Sequence, residues 1–169
     1  MRPDRLQDGA ASSRAPVAAG SRAAWVYLAA AIAATGVAIH LAAILGGPAW
    51  YAFFGAPPRI VESARSGTWL APASAAVIAG LMALCAAYAL SALRRIRRLP
   101  LLRPMLAAMA GVCLLRALIL PPLAIGHPEL RNAFEFIAAA VWGLAGIGFA
   151  VGFRLARTAP AGRRPGDAR

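Results

Sequence analysis

The chain contains no lysine, so its 18 lysine-plus-arginine residues are all arginine. Acidic residues number six, histidines two and cysteines two, and only 14% of the chain is charged. A soluble domain carries about a quarter of its residues as charge, so a large water-soluble domain is excluded. The cysteines, Cys85 and Cys113, fall in separate apolar runs with no CxxC pairing, which removes a thioredoxin-like or quinone-linked disulfide relay. The histidines, His40 and His127, give neither the paired in-span ligands of a haem helix nor a zinc set. No Walker-type glycine loop occurs. The first apolar run holds no glutamate, whereas a small proton-coupled multidrug exporter would need one there. No metal, no cofactor and no catalytic residue can be named.

What is present is hydrophobicity. Sixty per cent of the 169 residues are hydrophobic, and the mean hydropathy is +0.65. Four apolar runs stand out, at about residues 23–45, 69–93, 104–120 and 133–153. A span needs about 20 residues, so these four account for the bulk of the domain. The predicted fold is all-α: an integral membrane four-helix up-down bundle over residues 23–155. Residues 1–22 and 156–169, rich in Arg, Pro, Gly, Ala and Ser, are expected as disordered tails. The first run is too long for a signal-peptide core and is expected as an uncleaved first helix.

The net charge of +12 could suggest nucleic acid, but the arginines flank the apolar runs instead of forming a folded basic face. Fourteen of them fall in the N-terminal tail, the 94–103 turn and the C-terminal tail; Arg59, Arg65 and Arg131 fall in the other two loops. The positive-inside rule then predicts both termini in the cytoplasm; the absence of lysine beside abundant alanine points to a GC-rich bacterial genome, so the expected location is a bacterial inner membrane. The long loop 47–68 would face outward. It opens with Trp50, Tyr51, Phe53 and Phe54, suited to the headgroup level, and continues as a short amphipathic helix over Arg59–Ser66.

Three ionisable residues lie in or at the edge of the spans, all toward the expected outer surface. Counting from the span ends at 1.5 Å per residue, His40 is ~8 Å deep, Arg116 ~6 Å and Glu135 ~3 Å. A short connection makes the third and fourth spans neighbours, so an Arg116–Glu135 pair is geometrically reasonable. An arginine at mid-membrane costs at least ~2.5 kcal/mol, less if it snorkels. One reading is therefore a structural ion pair with His40 hydrogen-bonded nearby. The other is an outward-facing site of His40, Arg116 and Glu135 for an anionic headgroup or small molecule, with Glu62 or Arg65 as a lid.

The run from His40 through Tyr51–Pro57, the segment Arg97–Arg103 and the segment Leu114–Leu118 resembles small bacterial inner-membrane proteins with four spans. The resemblance covers about residues 25–155. It implies the fold and carries no activity. The first functional expectation is a non-enzymatic accessory or structural subunit in the lipid bilayer, with a homo-oligomer or another membrane protein as partner and no nucleic acid. The alternative is a small transporter or lipid-binding protein using the polar site. The weakest is a membrane enzyme acting on lipid.

Overall fold

The computed structural model describes residues 5–158, with side chains from Gly20 onward except residues 129 and 158. The rest of the two expected tails, 1–4 and 159–169, lies outside the described residues. Among these the chain is helical throughout, without strands. The helices are α1 (Arg5–Gly46), α2 (Pro48–Phe53), α3 (Pro58–Arg65), α4 (Leu70–Ala92), α5 (Leu102–Gly126) and α6 (Ala133–Thr158), with one 3-10 turn at Pro128–Leu130. Four stretches are long and apolar enough to cross a membrane: Gly20–Gly46, Leu70–Ala92, Leu102–Gly126 and Ala133–Arg157, each with a mean hydropathy of 2.0 or above. They make this a multi-pass membrane protein. From Arg5 the polar residues ahead of the first apolar stretch continue the same helix.

Two boundaries differ from the sequence expectation for physical reasons. The third span was expected to stop at Leu120, because Pro121 and Pro122 each lack an amide hydrogen and disfavour helix in the residue before them. The helix instead runs through both prolines to Gly126. In an apolar environment a broken helix would strand many backbone groups, whereas continuing it sacrifices two hydrogen bonds. The aromatic segment after Gly47 was expected as loop, yet Pro48–Phe53 forms a short helix started by its proline. Gly47 makes the corner before it with φ 70, a left-handed conformation that suits glycine.

Space between the long helices is filled mostly by alanine and glycine. In lipid there is little hydrophobic drive between helices, so close packing of small residues does the work. Helix α5 packs chiefly on α6, α4 on α1, and α1 on α6, while α4 and α5 barely touch. One core joins all four long helices: Val26, Ala29 and Ala30 of α1, Tyr88 and Ala89 of α4, Leu106, Ala110 and Cys113 of α5, and Ala145 and Phe149 of α6. The second core, at the other end, contains Ala43, Tyr51, Val61, Ala71 and Ala75 from α1 to α4 only. The bundle is thus knit across all four helices at one end. At the other, no buried residue of α5 or α6 belongs to the second core, although Phe134 of α6 lies beside Gly55.

The end where all four helices meet is closed by a tethered turn. The buried Ser91 hydroxyl donates to the Arg97 carbonyl (3.2 Å) and accepts the Leu99 amide (3.0 Å). The Tyr88 hydroxyl donates to the Pro100 carbonyl at 3.0 Å. These bonds hold a turn in which Arg94 and Leu101 adopt positive φ, 57 and 53, a conformation costing an L-residue roughly 1–2 kcal/mol. Ser63 does the same job at the opposite end. Its buried hydroxyl accepts the Ala71 amide (3.0 Å) and pairs with the Thr68 hydroxyl (2.6 Å), tying α3 to the start of α4.

Gly148 of α6 sits against α1. A methyl group there would lie 2.6 Å from Ala29 Cβ and against the Trp25 carbonyl oxygen, whereas one at Gly80 would meet nothing within 4 Å. Gly148→Ala is expected to destabilise the protein by about 1–3 kcal/mol through overpacking, read as a lowered melting temperature in detergent. Gly80→Ala is expected to leave that temperature unchanged or slightly raised.

Candidate functional site

The polar residues singled out from the sequence fall in three separate places. The first is the α5–α6 hairpin. Asn132 opens α6 by accepting the Glu135 amide on its side-chain oxygen at 3.0 Å, which fixes the first turn of that helix and the direction of Glu135. Arg131 closes α5: its Nε donates to the Ala124 carbonyl (2.6 Å) and its Nη2 to the Ile125 carbonyl (2.8 Å). A cation on the last carbonyls also complements the dipole of α5. With both ends held, the Arg116 Nη2 atom lies 3.5 Å from Glu135 Oε2.

That pair is long and open. The Arg116 side chain is 44% exposed and the Glu135 side chain 22%. A guanidinium carries five N–H donors, and among the described residues Glu135 is the one partner Arg116 has. Because α5 extends to Gly126, Arg116 lies ten residues from its end, ~15 Å along the helix. This replaces the shallower position counted from Leu120. Its side chain therefore reaches along α5 to meet a carboxylate only two residues into α6. The same extension places Pro121 and Pro122 one turn beyond Arg116. Neither has an amide hydrogen, so the carbonyls of Ala117 and Leu118 lack the donor that a helix supplies four residues on.

The second place is α1. His40 is half-buried and its Nδ1–H donates to the Gly36 carbonyl of its own helix at 2.8 Å. No hydrogen bond or ion pair joins it to Arg116 or Glu135 among the described residues. The third place is α3. Glu62 and Arg65 line an open hollow of about 570 Å³ together with Arg59, Val61 and Pro58 of the same helix and Ala52 and Ala56 before it. Neither residue of the α5–α6 pair reaches this hollow.

Tyr51 was read from the sequence only as one of four interfacial aromatics. It is buried in the α1–α4 core, and its hydroxyl has no hydrogen-bond partner among the described residues. Burial pushes its phenol above the ordinary range. Ser63, Ser91 and Arg131 were also missed as structural groups. A hydroxyl in the last turn of a helix, followed by turn residues, is the sign that could have marked the serines. No group of three or more His, Cys, Asp or Glu side chains that could hold a metal occurs among the described residues. The chain matches no protein-family model, and comparisons with curated proteins and with solved structures found no match.

Two outcomes follow from these contacts. Arg116→Ala and Glu135→Ala are each expected to lower the folded yield in detergent, and the double variant to be no worse than the poorer single one, which size-exclusion profiles would measure. Tyr51→Phe is expected to stabilise the fold by roughly 1 kcal/mol by removing an unpartnered buried hydroxyl. The native phenol ionises less readily than the unfolded one. The wild type should therefore keep its stability below about pH 10 and lose it as pH rises through the phenol range; the Phe variant should lack that loss in melting curves between pH 8 and 11.

Proposed function

We propose that this chain is a non-enzymatic accessory or structural subunit of a bacterial inner membrane. It is read as an up-down bundle of four spans with both termini at the cytoplasmic face. The arginine distribution supports that orientation: the 94–103 turn and the two tails carry most of the positive charge, and cytoplasmic segments favour it. The short connections after the second and third spans, residues 93–101 and 127–132, support the up-down order. In this orientation α2 and α3 form the first outer loop, and α3, with Val61 buried and Arg59 and Glu62 exposed, lies at the membrane surface as an amphipathic helix.

The observation that carries the functional reading is how the polar groups are used. Ser63, Ser91, Tyr88, Asn132 and Arg131 each hold a loop or a helix end, and His40 bonds its own helix. Acid–base chemistry would need two such groups converging within hydrogen-bond reach of one substrate position, and these are dispersed along the bundle. Within the described spans, what is left over for an external contact is the half-open Arg116–Glu135 pair.

A second reading takes the α3 hollow as a site for an anionic lipid headgroup or small molecule. Two guanidinium groups, Arg59 and Arg65, flank it, and arginine recognises phosphate and carboxylate by paired hydrogen bonds.

Native mass spectrometry of the protein extracted with its own lipids separates the two. The subunit reading expects a protein assembly of fixed stoichiometry that persists in an Arg59→Ala/Arg65→Ala variant. A monomer carrying one stoichiometric small molecule or lipid, lost in that variant, would replace it with the binding reading.

A further inference from the structure

The open ion pair on α5 and α6 has the properties of a contact between two copies of this chain. Arg116 is 44% exposed, and the residues beside it on the same face of α5, Val112, Ile119 and Leu123, are 63%, 42% and 41% exposed. The charge therefore sits on a face that either meets acyl chains or is covered. Meeting acyl chains is costly for a guanidinium whose donors are mostly unused. An anionic lipid would supply acceptors to Arg116 but would also bring a phosphate up to the Glu135 carboxylate, 3.5 Å from the guanidinium. A phosphodiester has no donor to offer that carboxylate.

A second copy answers each of these points. The pair is net neutral and has one donor-rich and one acceptor-rich member, so the surface is complementary to itself. Because the two charges already meet within one chain, they lie at one depth in the membrane. A two-fold axis along the membrane normal keeps that depth and sets the guanidinium of each copy against the carboxylate of the other. We propose that the protein forms a symmetric dimer through α5 and α6, in which Arg116 and Glu135 of both copies make a ring of four alternating charges. The proposal rests on the reading of the chain as a four-span membrane subunit and names its first partner as a second copy.

The experiment is disulfide cross-linking in native membranes. The full chain, with Cys85 and Cys113 replaced by alanine, carries Ile119→Cys, one turn from Arg116 on the same face, and two copies with different tags are co-expressed. The wild-type charge set is expected to cross-link. Arg116→Glu alone or Glu135→Arg alone is expected to lose at least about tenfold of the cross-linked fraction of inserted protein. Co-expressing the Arg116→Glu copy with the Glu135→Arg copy is expected to restore cross-linking between the two tags, because every contact between copies is then of opposite charge while the pair within each chain is repulsive. Should the repulsive chains fail to insert, Arg116→Gln with Glu135→Gln serves the same purpose: one contact between copies survives in the mixed pair and none in either pure pair. Val77→Cys on the exposed face of α4 is the control and should give no charge-dependent product.

Absence of cross-linking in the wild-type charge set, or of restoration in both mixed pairs at normal insertion, overturns the proposal. So does retention of an anionic lipid that is lost in Arg116→Gln while the protein stays monomeric. A hetero-assembly seen by native mass spectrometry without restoration in the mixed pairs would remove the dimer and leave the subunit reading standing.

Discussion

A hydrogen-bonding group in hydrocarbon has no water to turn to, and this constraint explains more of the molecule than any single contact does. It accounts for the helical content, since a helix satisfies its own backbone. It accounts for the passage of α5 through two consecutive prolines, which local preference alone would forbid. It also decides where the few polar side chains go. Ser63 of α3, beside the start of α4, and Ser91, in the last turn of α4, are buried, and each satisfies backbone groups that the adjoining turn would otherwise strand. Arg131 and Asn132 do likewise for the facing ends of α5 and α6. Against this economy, Tyr51 and Arg116 stand out, one a buried hydroxyl with no partner among the described residues and the other a cation with one.

The packing is uneven along the bundle. All four long helices share a core at the end closed by the arginine-rich turn. Toward the other end, α1 and α4 hold α2 and α3 in a core of their own, to which no buried residue of the α5–α6 hairpin belongs. The open ion pair belongs to that hairpin. Its exposure is therefore a consequence of how the helices divide, since α4 gives α5 little cover along its length.

Much of the architecture was legible because it depends on one-dimensional quantities. Runs of about 20 apolar residues mark the spans, and small residues mark the faces that approach each other, as Gly148 does on α1. The proximity of residues 116 and 135 follows from a hairpin with a short connection. Quantities that depend on competition were not legible. Whether Pro121–Pro122 ends or merely interrupts a helix turns on the surrounding medium, which propensity does not contain. Whether Tyr51 lies at the headgroups or inside a core depends on α2 being a helix that turns its ring inward. His40 shares a helical face with Gly36, and that spacing spoke equally for a ligand role and for the bond to the Gly36 carbonyl that it makes.

The tethered turn before α5 has an effect far from where it lies. Tyr88 and Ser91 clamp the segment from Arg97 to Pro100, and the left-handed Leu101 then launches the helix. With its first residue pinned in this way, α5 cannot slide lengthwise past α4. The height of the Arg116 Cα is thus metered from the opposite surface, fourteen residues or ~21 Å up a rigid rod. A lengthening or shortening of that turn by one residue would raise, lower or rotate that charge without altering a single atom near it.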